Sequence, residues 1–272
     1  IAPFYADTLR MGLEKGADVF TILMRTSQPE DAAAFEQWST TLSESMRVYR
    51  VTPKAETPVN AYAYPALTPR GTGVHEVQSL PEADKALDQI RQSLIAQYGG
   101  EYDYEEFTAR IAVPEGMTGY LNDENAQGDN RDTSYLMTND FTLNSDEDFV
   151  VVYGVNHVAA GKATYANTVL YARPRLNGIV SLYDSMYGDS AAEYLPGADS
   201  SKYYVLKMAR TALDSHTAVI PYSTDNPNGR FYGADNGTQL LIAYRAYVEP
   251  ETGVGPSYYE IVYDRAIVFH KK

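Results

Sequence analysis

The feature that most constrains this chain is a change of hydrophobic period near residue 100. Beyond it, EFTARIAV, TSYLMTNDFTL, FVVVYGV, ATYANTVLYAR, GIVSLYD and KYYVLKMART follow one another with turn residues between them. Several alternate polar and apolar positions in steps of two, the spacing of a half-buried strand. TQLLIAYRAYVEP and SYYEIVYDRAIVF flank ETGVGP and read as a hairpin with a Gly/Pro loop. FVVVYGV, NHVAAGK and ATYANTVLY read as a second strand–turn–strand hairpin, with Asn156 and Gly161 suited to the turn. No regular helices separate these strands, so a parallel βαβ sheet is not expected. The expected fold is mainly β within the α+β class. It is an antiparallel β-sandwich or jelly-roll-like body with two or three accessory helices near the N-terminus.

The first hundred residues mix periods and are expected to form an α/β lobe (1–100) before the β-rich lobe (101–272). FTILMRT (20–26) reads as a strand, echoed by VLKMART (205–211). Ser27-Gln28-Pro29-Glu30 has the form of a capping box, followed at spacings of three and four by Phe35, Trp38, Leu42, Met46 and Tyr49. Residues 52–74, rich in Pro and Gly, read as a long connection. A second box, Ser79-Leu80-Pro81-Glu82, precedes the stripe Ala83, Leu87, Ile90, Leu94 and Tyr98, which Gly99-Gly100 ends.

Charge and composition exclude several functions. A formal net charge of −14 argues against nucleic acid, whose binding depends on Lys and Arg displacing counterions. The absence of Cys removes disulfide scaffolds, thiolate metal sites and Cys nucleophiles. No apolar run reaches the roughly 20 residues of a membrane span. The 24 tyrosines, against 8 Phe and 1 Trp, suit pleated surfaces that pack a ring and wet a hydroxyl, and also suit contact surfaces.

The opening of the stretch FVVVYGVNHVAAGKATY (149–165) resembles a phosphate-binding loop. It fails the G-x4-G-K-[ST] pattern: six residues separate Gly154 from Gly161, and Ala163 follows Lys162. His157, with Lys162 and Tyr165, remains the candidate catalytic group, because a histidine near neutral pKa serves as a general base when a partner orients it. Asp123, Asp129 and Asp132 are candidate ligands of a loose calcium site. They are not an EF-hand, because Ser134 stands where its bidentate Glu belongs. Gly188-Asp189-Ser190 with Asp214 and His216 lacks the second Gly of a nucleophile elbow. The loop 225–237 is turn-rich and suited to binding.

VFTILMRTSQPEDAAAFEQWSTTL (19–42) and QLLIAYRAYVEP (239–250) resemble segments of a bacterial secreted family with paired β-rich domains of unknown function. That resemblance implies two β lobes and a periplasmic or extracellular location, and implies no activity. The leading expectation is a secreted or cell-surface binding or structural protein whose Tyr-rich surface contacts a glycan, a small molecule or a copy of itself. The alternatives are a hydrolase, lyase or isomerase, cofactor-free or calcium-assisted, with His157 in its site, and a filament subunit assembled by strand addition.

Overall fold

A computed structural model describes residues 31–49, 54, 68–112, 131–196, 199–224 and 233–272. The strand expected at 20–26, the first capping box, most of the 52–74 connection, Asp123, Asp129 and most of the 225–237 loop lie outside the described residues.

The chain groups into two compact units, 1–67 and 68–272. In the first, α1 (Ala32–Thr40) starts where Asp31 Oδ1 accepts the Ala34 amide at 2.9 Å. A short α2 (Leu42–Ser45) follows, and Met46 is already extended. The helical stripe expected to reach Tyr49 therefore stops early, and Tyr49 is 77% exposed. The hydroxyl of Thr41, between the two helices, bonds back to the carbonyls of Gln37 and Trp38, a local competitor of regular helix.

The second unit opens with α3 (Glu76–Ser79) and α4 (Ala83–Tyr98). Ala83, Leu87, Ile90 and Leu94 of α4 are all buried, as their spacing predicts. The expected capping box does not form. Glu82 is the N-cap without a side-chain bond, and the Ser79 hydroxyl bonds the Glu76 carbonyl.

Eleven strands are found among the described residues: β1 (Tyr102–Thr108), β2 (Arg110–Ile111), β3 (Thr133–Met137), β4 (Phe141–Thr142), β5 (Phe149–Val155), β6 (Tyr165–Ala172), β7 (Asn177–Tyr183), β8 (Tyr203–Ala209), β9 (Thr217–Val219), β10 (Gln239–Tyr247) and β11 (Arg265–Lys271). They form two sheets, ordered β1-β11-β5-β8-β9 and β2-β3-β10-β6-β7, with β4 also paired to β10. All pairs are antiparallel except β8 with β9. The fold is mainly β, as the alternating pattern predicts.

The sheets stack face to face over Val150, Val152, Leu206, Met208 and Val268 from the first and Leu136, Leu170, Val180, Leu182 and Ile242 from the second. The opposite face of the first sheet packs Phe149, Val151, Val205, Ile267 and Phe269 against the apolar face of α4. Layers on both faces explain why every residue of β5 and β8 is buried, and why FVVVYGV is a continuous apolar run rather than an alternating one.

Both expected hairpins are corrected. FVVVYGV and ATYANTVLY do run as strand–turn–strand, but β5 pairs with β11 and β8 whereas β6 pairs with β10 and β7. Their connection crosses from one sheet to the other. So does the connection from β10 to β11. Turn residues mark where a strand ends, and they do not say which strand it pairs with.

Candidate binding face and the ionic clips behind it

The two crossing connections, 156–164 and 248–264, meet the segment 70–76 and bury an unusual set of charges. His157, Lys162, Glu76, Glu249, Glu260 and Asp264 are each below 9% exposed. They form two clips.

In the first, His157 Nδ1 lies 2.7 Å from Glu76 Oε1, and Nε2 lies 3.7 Å from Asp264 Oδ2. Glu76 Oε2 accepts the Val262 amide at 2.6 Å, and Asp264 Oδ1 accepts the Tyr204 hydroxyl at 2.6 Å. Burial disfavours a charged ring, but the charge of Glu76 and the pull of Asp264 outweigh it and raise the His157 pKa to about 10. His157 is thus a buried imidazolium with a carboxylate at each nitrogen. A general base needs one nitrogen free to take a proton, and neither is free here. Burial and the Asp264 charge push the neighbouring Tyr204 hydroxyl well above its usual pKa, so it stays a neutral donor.

In the second clip, Lys162 Nζ donates to Glu249 Oε1 and Glu260 Oε2, both at 2.7 Å, and to Thr72 Oγ1 at 3.2 Å. All three ammonium protons are used. Burial would lower the Lys162 pKa, but the hydrogen bonds to the two carboxylates outweigh it and raise it. Glu260 also accepts the amides of Thr72 at 3.0 Å and Gly73 at 2.7 Å. A Cβ at Gly71, whose φ is +87°, would collide with Glu260 Oε1, so only glycine allows the backbone this close. The Glu76 amide donates to the Glu260 carbonyl at 2.8 Å and joins the clips.

The close packing yields one direct prediction. A Cβ on Gly154 would lie 2.6 Å from Asp264 Oδ1 and 3.1 Å from Tyr204 Cε1. Gly154→Ala is expected to cost about 1–3 kcal/mol, the usual range for overpacking a core, read as a lower urea midpoint. An unchanged midpoint would show that Asp264 has room to move.

Tyr165, the third candidate catalytic residue, goes elsewhere. It begins β6, its ring centroid is 5.4 Å from that of Tyr247, and its hydroxyl accepts Asn167 Nδ2 at 3.2 Å. Asp132 precedes β3, and its carbonyl accepts the Val248 amide. No cluster of three or more His, Asp or Glu side chains able to hold a metal occurs among the described residues. The Gly-Asp-Ser triplet makes no relay: Ser190 is buried with its oxygen accepting the Val205 amide, and Asp214 pairs with Lys207 at 2.6 Å.

Tyr165 and Tyr247 belong to the face of the second sheet turned away from the inter-sheet core. Strand register aligns Tyr135, Arg245, Asn167 and Tyr183 across β3, β10, β6 and β7. The Tyr165–Tyr247 pair lies two residues along the strands to one side, and Tyr171 lies four residues to the other, beyond Val169. Arg245 Cζ is 5.5 Å from the ring centroids of both Tyr135 and Tyr171, within cation–π range. Its guanidinium donates to Tyr171 Oη at 2.7 Å and to Asn167 Oδ1 at 3.3 Å. The rings of Tyr135, Tyr165, Tyr171 and Tyr247 are partly exposed, and Tyr183 is 41% exposed. In a chain of net charge −14, the six strands of this sheet carry two Arg and no Asp or Glu. Composition counts these tyrosines but does not place them on one face. The signal was there as alternation, since Tyr165, Asn167, Val169 and Tyr171 occupy every second position of one strand.

No family model matches the chain. It is similar to two curated proteins called "Probable ribonuclease FAU-1", from Pyrococcus horikoshii and Pyrococcus abyssi. Each is 31% identical over 111 residues, which is 39% of this chain and 22% of the relative. The chain therefore spans about a fifth of the length of these relatives.

Proposed function

We propose that this protein is a β-sandwich binding module whose ligand lies across the Tyr-and-Arg face of the second sheet, and that the ligand is a polysaccharide chain. The observation that carries this is Arg245 held between Tyr135 and Tyr171 in the middle of an acid-free sheet face. Fixed rings offer flat apolar area at low entropic cost, while Arg245, Asn167 and the tyrosine hydroxyls supply directed hydrogen bonds. An uncharged ligand accepts a protein of net charge −14, which a polyanion resists. Such a role fits the extracellular or periplasmic location expected from the sequence. The buried clips serve to set this face. Lys162 lies three residues before β6, and Glu249 lies two residues after β10. Their ion pair thereby ties together the strand ends that bear Tyr165 and Tyr247.

Titration calorimetry against a panel of soluble polysaccharides tests the proposal. Binding to at least one is expected, with Tyr171→Ala and Arg245→Ala each weakening it by about tenfold or more, as truncated aromatic and Arg anchors do. Binding that both variants leave intact, or no binding across the panel, would overturn it.

A second reading, single-stranded RNA stacked on the same rings, is favoured by the partial likeness to a probable ribonuclease and by the absence of acidic residues from the sheet. It predicts affinity that falls steeply with salt, whereas polysaccharide binding would be nearly insensitive to it.

A further inference from the structure

Among the described residues the sandwich has four sheet edges, and they are not protected alike. β1 ends the first sheet with Asp103, Glu105 and Glu106, so a second copy brought alongside would meet like charges. Among the described residues β2 has two residues and β9 has three, too short to template a partner. β7, at the end of the second sheet, has seven residues, Asn177–Tyr183, with no charge and no proline. Gly178, Ser181 and Tyr183 on it are exposed. Large apolar side chains flank it: Leu176 is 53% exposed, Met186 43% and, on β9 at the same side of the sandwich, Val219 53%. A long, uncharged edge is what folded proteins normally avoid, unless something pairs with it.

We infer that two copies of this chain pair β7 against β7, antiparallel, about a twofold axis, joining their second sheets into one continuous sheet. An isologous contact requires a self-complementary strand, and an uncharged one meets that requirement in a chain that otherwise repels its own copies. Charge sets the direction. The turn before β7 carries Arg175 and Arg173, the latter 3.3 Å from Asp140, which leaves the turn with one net positive charge, and Asp184 follows the last residue of β7. Antiparallel pairing brings the basic turn of each copy to the acidic end of the other, and parallel pairing would set Arg beside Arg. Centred on Val180, the pairing opposes Ile179 to Ser181 and Asn177 to Tyr183. The inference does not rest on the ligand proposed above, because it concerns the edge of the sheet and not its face.

Sedimentation of the whole chain tests it. The protein is expected to be a dimer at high micromolar concentration. Ser181→Lys and Ser181→Glu, both at an exposed position, are each expected to be monomeric with an unchanged circular dichroism spectrum. Their equimolar mixture is expected to recover the dimer. Amide exchange on the unaltered protein is the second measurement, with β7 amides slowing as concentration rises. A monomeric parent protein, a dimer that both variants retain, or β7 amides indifferent to concentration would each overturn the inference.

Discussion

Replacing Lys162 by alanine is expected to remove about 3–5 kcal/mol of folding stability, enough to threaten folding in a domain of ordinary marginal stability. The loss comes less from missing attraction than from what remains. Glu249 and Glu260 stay buried at 2% and 8% exposure with no cation between them. The matched control is Lys162→Met with Glu249→Gln and Glu260→Gln, which removes all three charges at once. It is expected to recover much of the loss, because neutralising a buried ionic cluster as a whole costs far less than orphaning its members. Chemical denaturation measures both. If Lys162→Ala unfolds at the midpoint of the unaltered protein, the clip contributes nothing. The same variant should loosen the Tyr165–Tyr247 pair, since the clip closes on the residues next to both.

The second large effect is alkaline loss of stability through His157. Its folded pKa is raised to about 10 from an ordinary 6.5 by the carboxylates of Glu76 and Asp264. A raised pKa means that the folded state holds the proton more tightly than the unfolded state. The stabilisation is therefore complete below about pH 6.5 and declines as pH rises through about 10. Over that window the denaturation midpoint should fall, and the imidazole resonances should report a charged ring at pH 8. A ring that titrates near 6.5 would refute the imidazolium assignment and restore His157 as a candidate base.

Legibility from sequence differed by element for physical reasons. The stripe on α4 was readable because a helix facing one layer repeats every three to four residues, and Ala83, Leu87, Ile90 and Leu94 do so. The strands were readable as segments for the same kind of reason. Their partners were not. The strands that flank NHVAAGK and ETGVGP look like hairpin arms, yet each turn carries the chain between sheets, because pairing depends on long-range contacts that local pattern does not encode. His157 and Lys162 stood out as reactive types five residues apart, but their partners Glu76, Glu249, Glu260 and Asp264 are 81 to 107 residues away in sequence.

By itself, then, the sequence determined what the local physics of the chain controls: short strands, one amphipathic helix on the β-sandwich, an acidic surface and no thiol chemistry. Tertiary structure decided where each polar group lies and what it pairs with. It buried His157 and Lys162 among carboxylates, where desolvation makes full pairing obligatory, and turned Tyr165 outward into a row of rings around Arg245. Charged groups fill the buried clips and tyrosines with one Arg fill the outer face, and strand register decides which side chains reach each place.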